Sequence, residues 1–281
     1  MDATTLFQTA RQARQVQDIE VAVEAIDAAQ KAAPDDPNIA AVRALLHYES
    51  WRPASDLFAR AAALNPEDME LRRNQALGLQ SEGDGPAAMA LLERELRVQP
   101  FWVEGHRTLA RIRLTRAEQG EHDRSFAEAC ATSGAPLALH LAWFHNAAIA
   151  RDWDKVHAIL ENAEHAFPGQ PALRAARFYC AAETGDDVSA EAALPGLASM
   201  NDPGLDLCRL RFHLRLGQWT EAERCARRHV GSASGAMFWP YLSLIWRLTD
   251  NPLAQWLDGA PPYLSVIDLD ISSGQLADLA D

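Results

Sequence analysis

Prolines recur at Pro34, Pro66, Pro100 and Pro168, in steps of 32, 34 and twice 34 along the chain, and this period constrains the fold more than any other feature of the 281-residue sequence. Measured against that ruler, a bulky residue returns at Ile26, Phe58, Leu92, Phe126, Leu160 and Leu194. Three places later stand Ala29, Ala61, Glu95, Ala129, Ala163 and Leu197, and four places earlier Ala22, Ala54, Ala88 and Ala190, with Ala222 in the last repeat. Positions i, i+4 and i+7 share one face of a helix. A large side chain between small ones lets the second helix of a hairpin lie close to its neighbours. One hairpin cannot bury its own apolar face, so the repeats must stack and share a continuous core.

The first helix of each hairpin ends in a turn marked by Gly83, Gly185 or Gly217, because glycine supplies the left-handed geometry that closes a helix. Shortly afterwards Trp51, Trp153 or Trp219 is expected to open the second helix and to staple the turn to the core. The stretches LRLGQWTEAE (214–223) and ARDWDKVHAIL (150–160) show the pattern most clearly. Through this small-large-small-Pro second helix and Gly-x-aromatic turn, residues 3–230 resemble the tetratricopeptide-repeat family. The fourth hairpin lacks its turn glycine, and the sixth carries Pro195 inside its second helix, where a kink or early break is expected. The resemblance implies an all-α, right-handed superhelical solenoid of about seven helical hairpins over residues 1–234.

Composition agrees with that class. The chain is 48% hydrophobic, enough for a packed core, and Gly and Pro are few and scattered. The stretch from Met1 to Val21 is interrupted by Asp2, Arg11, Arg14 and Asp18, which excludes an apolar signal core or membrane span there. Cys130, Cys180, Cys208 and Cys225 are far apart and form no CxxC pair, as expected of buried thiols in a reducing cytoplasm. A net charge of -13 argues against nucleic acid as a partner, and no membrane is expected.

Solenoids of this family present the first helices of their hairpins along a concave groove. On that implication the groove positions are Arg73, Asn74, Arg107, Arg111, His145, Tyr179, Arg211 and Arg215. Arginines gathered on one face of a strongly acidic chain point to carboxylates, hence to an acidic protein or peptide partner. The bland reading is that these are solvated helix arginines paired with Asp or Glu one turn away. Some relatives clamp a C-terminal carboxylate with Lys, Asn and Arg; Asn74 matches one such position but the paired lysines are missing, which excludes a true clamp.

No catalytic motif appears. The histidine pairs His140/His145 and His157/His165 have sequence spacings of five and eight, poor for one metal, and HExxH is absent. SEGDGP (81–86) sits in the repeat register as a turn rather than a phosphate loop, and SASG (232–235) reads as a linker. No cofactor and no metal are expected, and the chain as given is expected to be non-catalytic.

After Gly235 the repeat fades. Residues 235–258 read as a capping helix and linker, and 259–281 as an extension in which YLSVIDLD (263–270) has the alternation of a strand and Ser272 or Ser273 can cap a short helix. WRLTDNPLAQWLDG followed by this strand resembles the junction between the repeats and a 2-oxoglutarate/Fe(II) oxygenase domain in bacterial tetratricopeptide proteins. The likeness is confined to this tail and includes none of that family's catalytic residues. It implies that the chain stops short of a second domain, and that Trp246, Trp256 and Tyr263 form an apolar docking patch. Two functions stand side by side: a protein-binding scaffold, or the partner-recruiting arm of an oxygenase. Self-association through exposed end hairpins, beginning at Leu6 and Phe7, fits either.

Overall fold

Antiparallel helical pairs follow one another in the register set by the prolines. The computed structural model describes residues 1–116 and 122–259. The pairs are α1 (Ala3–Gln15) with α2 (Ile19–Ala32), α3 (Pro37–Glu49) with α4 (Ser55–Leu64), and α5 (Met69–Ser81) with α6 (Gly85–Val98). Next come α7 (Val103–Thr115) with α8 (Arg124–Cys130), α9 (Leu137–Ile149) with α10 (Trp153–Ala166), and α11 (Pro171–Thr184) with α12 (Asp187–Ala193). The last two pairs are α13 (Pro203–Arg215) with α14 (Trp219–Arg227), and α15 (Trp239–Leu248) with α16 (Leu253–Asp258). No strand occurs among the described residues. The chain divides into unit 1, Met1–Ala176, and unit 2, Arg177–Asp281.

Among the described residues the sharp turns inside the hairpins share one recurring element. A residue in the left-handed region stands at Gln17, Trp51, Gly83, Arg151, Gly185, Gly217 and Asp250. In four hairpins the next residue is an aspartate whose carboxylate accepts a hydrogen bond from a first-turn amide: Asp18 from Val21, Asp84 from Ala87, Asp152 from Lys155 and Asp186 from Ser189. The second hairpin has Arg52 there instead, and Glu82 from the end of α5 supplies the cap. Its carboxylate accepts from the Ala54 and Ser55 amides at 2.8 and 2.9 Å and from the Ser55 hydroxyl at 2.6 Å. Gly78 allows this approach, since a Cβ there would lie 3.1 Å from the Ser55 backbone.

Within each unit the ruler positions are core positions. Ala22, Ile26 and Ala29, then Ala54, Phe58 and Ala61, are buried, as are Leu92, Phe126, Leu160 and Ala222. In the sixth hairpin Pro195 ends α12 early, and a 3-10 turn over Leu194–Leu197 replaces its last turn. That change rotates Leu197 into the core and leaves Leu194 half-buried. All four cysteines are free, and burial pushes the Cys130 thiol up to about 12 and Cys208 to about 11.

Three sequence expectations change. Trp219 packs against the core of unit 2 as expected, whereas Trp51 sits at the glycine position of its turn, φ 59°, with 93% of its surface exposed. The second hairpin is two residues shorter here, about seven residues from the left-handed position to Phe58 against about nine at Gln17–Ile26, Gly83–Leu92 and Arg151–Leu160, so the place that opens the helix elsewhere falls on its turn. Trp51→Gly should therefore raise stability by about 0.5–1 kcal/mol, since relief of left-handed strain exceeds the added backbone entropy of glycine. A lower urea midpoint for this variant would show that the indole makes a stabilising contact.

The expected docking patch is also reduced. Trp246 is buried, donates Nε1–H to Glu223 at 2.8 Å and lies under the Arg227 guanidinium, while Trp256 is 67% exposed. Finally, the stretch read as a linker before residue 258 holds α16, which pairs with α15 across a left-handed Asp250 and an Asn251 that accepts from the Leu253 amide. Asp250 thus follows Gly217 as the next left-handed turn residue, and the hairpin pattern runs for one repeat more than expected. The turn of the fourth hairpin at 117–121, the expected strand at 263–270, Tyr263, Ser272 and Ser273 lie outside the described residues.

Candidate functional site

In unit 1 the first helices α5, α7 and α9 pack side by side, and their shared face carries a cavity of about 560 Å³. Residues one helical turn apart face the same way. Arg73 and Leu77 enter from α5, Arg107 and Arg111 from α7, and His145 and Ile149 from α9. Four of the sequence-predicted positions, Arg73, Arg107, Arg111 and His145, therefore line one cavity. Asn74 is half-buried one position along from Arg73 and is not part of that lining.

Two carboxylates temper the charge. Glu104 accepts from Arg107 at 2.7 Å and lies 3.8 Å from Arg73, which is itself held by Glu70 at 2.7 Å. Arg111 is exposed and has no ion pair among the described residues. Pairs this open to solvent contribute only about 0–1 kcal/mol each, so an incoming carboxylate can replace them. The Arg73 Nε and Asn146 Nδ2 atoms are buried and lack a hydrogen-bond partner. His145 is exposed overall, lines the cavity and has its ring 5.2 Å from that of Phe144. Partial loss of water at the ring, reinforced by the nearby Arg107 charge, holds its pKa below the ordinary value despite a backbone contact to Leu141.

In unit 2 the predicted positions behave differently. Arg211 pairs with Glu183 at 2.9 Å, and Arg215 is held by Asp187 and the Ala182 carbonyl while its guanidinium lies 5.6 Å from the Phe212 ring. Tyr179 is half-buried on α11. For Arg211 and Arg215 the bland reading, an arginine paired within its own unit, describes the geometry.

Sequence reasoning missed Glu104, Thr108, Leu77, Asn146 and Ile149 in the lining. Glu104 stands one turn before Arg107, a spacing visible in the sequence. Asn146 follows directly on His145, but its participation depends on how far α9 rotates against α7. Among the described residues no group of three or more His, Cys, Asp or Glu could hold a metal, and no helix is long and apolar enough to cross a membrane.

Neither a protein-family model nor a curated protein matches the sequence. Solved structures do. A tetratricopeptide repeat protein from Parabacteroides merdae ATCC 43184 is 14% identical with a TM-score of 0.52, the match covering 86% of this chain and 98% of that one. IFIT1, as a monomeric mutant with m7Gppp-AAAA, is 15% identical with a TM-score of 0.52 over 86% of this chain and 65% of its own. At such identities the likeness is one of fold. Joined to the repeat register and the helical pairs described above, it shows that this chain has the tetratricopeptide-repeat fold.

Proposed function

We propose that the chain is a protein-interaction scaffold and that the α5–α7–α9 face of unit 1 holds a protein segment bearing carboxylates. The observation that carries this is the convergence of three guanidinia and one imidazole, from three consecutive first helices, on a single cavity with only two carboxylates beside them. Guanidinium forks bind carboxylates in a bidentate manner, and Leu77, Leu114 and Ile149 offer apolar contact for the segment's remaining surface. Arg211, Arg215 and Tyr179 form a second candidate surface in unit 2, placed behind the first because its arginines are already paired. If the chain is the recruiting arm of an oxygenase, the unit 1 groove is where the substrate protein would be held.

The test is fluorescence anisotropy with labelled Asp- and Glu-rich peptides. Arg107→Ala/Arg111→Ala should weaken binding by tenfold or more, on the order of the loss of one charge-assisted bidentate contact, while Arg211→Ala/Arg215→Ala changes it little. Affinity should also rise as pH falls from about 7.5 toward 5.5, because protonating His145 through its depressed pKa adds a positive charge while ligand carboxylates, near pKa 4, remain ionised. His145→Ala should flatten that rise. Equal affinity in the Arg107/Arg111 variant, or tighter binding of a single-stranded RNA oligomer, would remove the proposal.

A further inference from the structure

We propose that a second cavity of unit 1, bounded by the end of α8, the 131–136 loop, the start of α9 and the end of α10, binds an uncharged aromatic molecule whose single polar group hydrogen-bonds to His140. It is separate from the groove and does not rest on the peptide-binding reading.

The cavity measures about 730 Å³, within the range of small-molecule sites, and none of its lining residues is Asp, Glu, Lys or Arg. In a chain that is 23% charged, such a lining selects against ions. Its walls include Trp143, Phe167, Ala131, Ala166 and Pro136, flat or small groups suited to an aromatic ring.

His140 supplies the polar anchor. It is 6% exposed, its ring meets Phe167 edge-on at 5.6 Å, and its Nδ1 has no hydrogen-bond partner. The repeat provides an internal control. His106, one full repeat earlier, occupies the same register, and both its nitrogens are engaged, one by the Pro100 carbonyl at 2.8 Å and the other by the Ser125 hydroxyl at 3.0 Å. At the equivalents of those partners in the next repeat, His140 finds Gly134, which gives it no hydrogen bond, and the buried aliphatic Ile159. The fold thus repeats the imidazole without its partners, beside an uncharged cavity. Nδ1 itself is closed to a water-sized group, so the ring's other nitrogen, Nε2, which makes no hydrogen bond among the described residues, is the one a ligand's hydroxyl or amide would meet. Burial lowers the pKa of His140, so the ring is neutral at pH 7 and suits an uncharged partner.

The experiment is titration of the whole chain with para-cresol, toluene and benzoate, read by calorimetry and by amide shifts around α9. Para-cresol should bind saturably and about fivefold tighter than toluene, the increment of one net hydrogen bond, with benzoate at least about tenfold weaker than para-cresol. His140→Phe should bring the cresol-to-toluene ratio to about one. Ala131 is exposed at the rim, so Ala131→Trp should fold normally and weaken both ligands by about tenfold or more. No saturable binding below about 10 mM, equal cresol and toluene affinities, or wild-type affinity in Ala131→Trp would overturn the site. Binding of N-acetyltyrosinamide without binding of para-cresol would make the cavity a dock for a partner's side chain and would also overturn it.

Discussion

Truncating Phe58 to alanine should cost about 3–5 kcal/mol and lower the urea midpoint accordingly. Phe58 is 1% exposed at the large position of the second hairpin, and its ring meets Tyr48 edge-on at 6.2 Å. The buried residues of its cluster are Ala40, Ala44, Ala54, Ala61, Ala62 and Leu71, with Tyr48, Leu57 and Leu64 partly buried against them, so most of the fully buried side chains there are already minimal. Alanines have no rotamers with which to refill a cavity. The loss should therefore fall in the upper part of the range, where lost transfer energy and an uncollapsed void add together. A loss below about 1 kcal/mol would mean that the small-large-small register does not describe the packing there.

Asp206→Ala should be comparably severe, about 3–5 kcal/mol, for an electrostatic reason. Asp206, on α13, is fully buried. One carboxylate oxygen accepts from Arg209 at 2.6 Å and faces Arg228 at 3.4 Å; the other accepts from His229 Nε2–H at 2.8 Å. Arg209 in turn donates to the Met200 and Leu197 carbonyls, and His229 stacks on Phe238 at 4.8 Å. One carboxylate therefore ties α13 to the end of α14 and holds Arg209, which bonds the Leu197 carbonyl of the 3-10 turn and the Met200 carbonyl beyond it. Removing it leaves the Arg209 guanidinium 4% exposed without its counter-charge. Asp206→Asn, which keeps the shape and part of the hydrogen bonding, should lose less. If both variants unfold at the wild-type urea concentration, the network does not stabilise unit 2.

These two sites differ in how far they could be read in advance. Phe58 is legible because its role follows from periodicity: a fixed repeat length and an i, i+4, i+7 pattern need only chain connectivity and the geometry of a helix. The Asp206 network is legible only in part. Asp206 and Arg209 stand one helical turn apart, a spacing visible in the sequence, but His229 and the Leu197 and Met200 carbonyls join them only through packing. Trp51 shows the opposite failure. Its distance from Trp153 matched the repeat, but a two-residue shortening between the turn and Phe58 placed it on the left-handed turn position, where sequence alone suggested a core staple. The left-handed residue followed by a capping aspartate was present at Gln17-Asp18, Gly83-Asp84, Arg151-Asp152 and Gly185-Asp186, a turn signal that a search for glycine alone overlooks.

The groove lies between these cases. That Arg73, Arg107, Arg111 and His145 share a face follows from their places on consecutive first helices, which the repeat period specifies. Whether an arginine on that face is open to a ligand or closed by its own chain depends on carboxylates brought in by neighbouring helices. Glu183 and Asp187 engage Arg211 and Arg215, while Arg111 has no such neighbour among the described residues. Periodicity is a property of the chain and determined the helices, their pairing and the faces they bury. Charge pairing, the unmet nitrogen of His140 and the Asp206 network arise from contacts across helices at distances of a few ångströms, and only packing in three dimensions decided them.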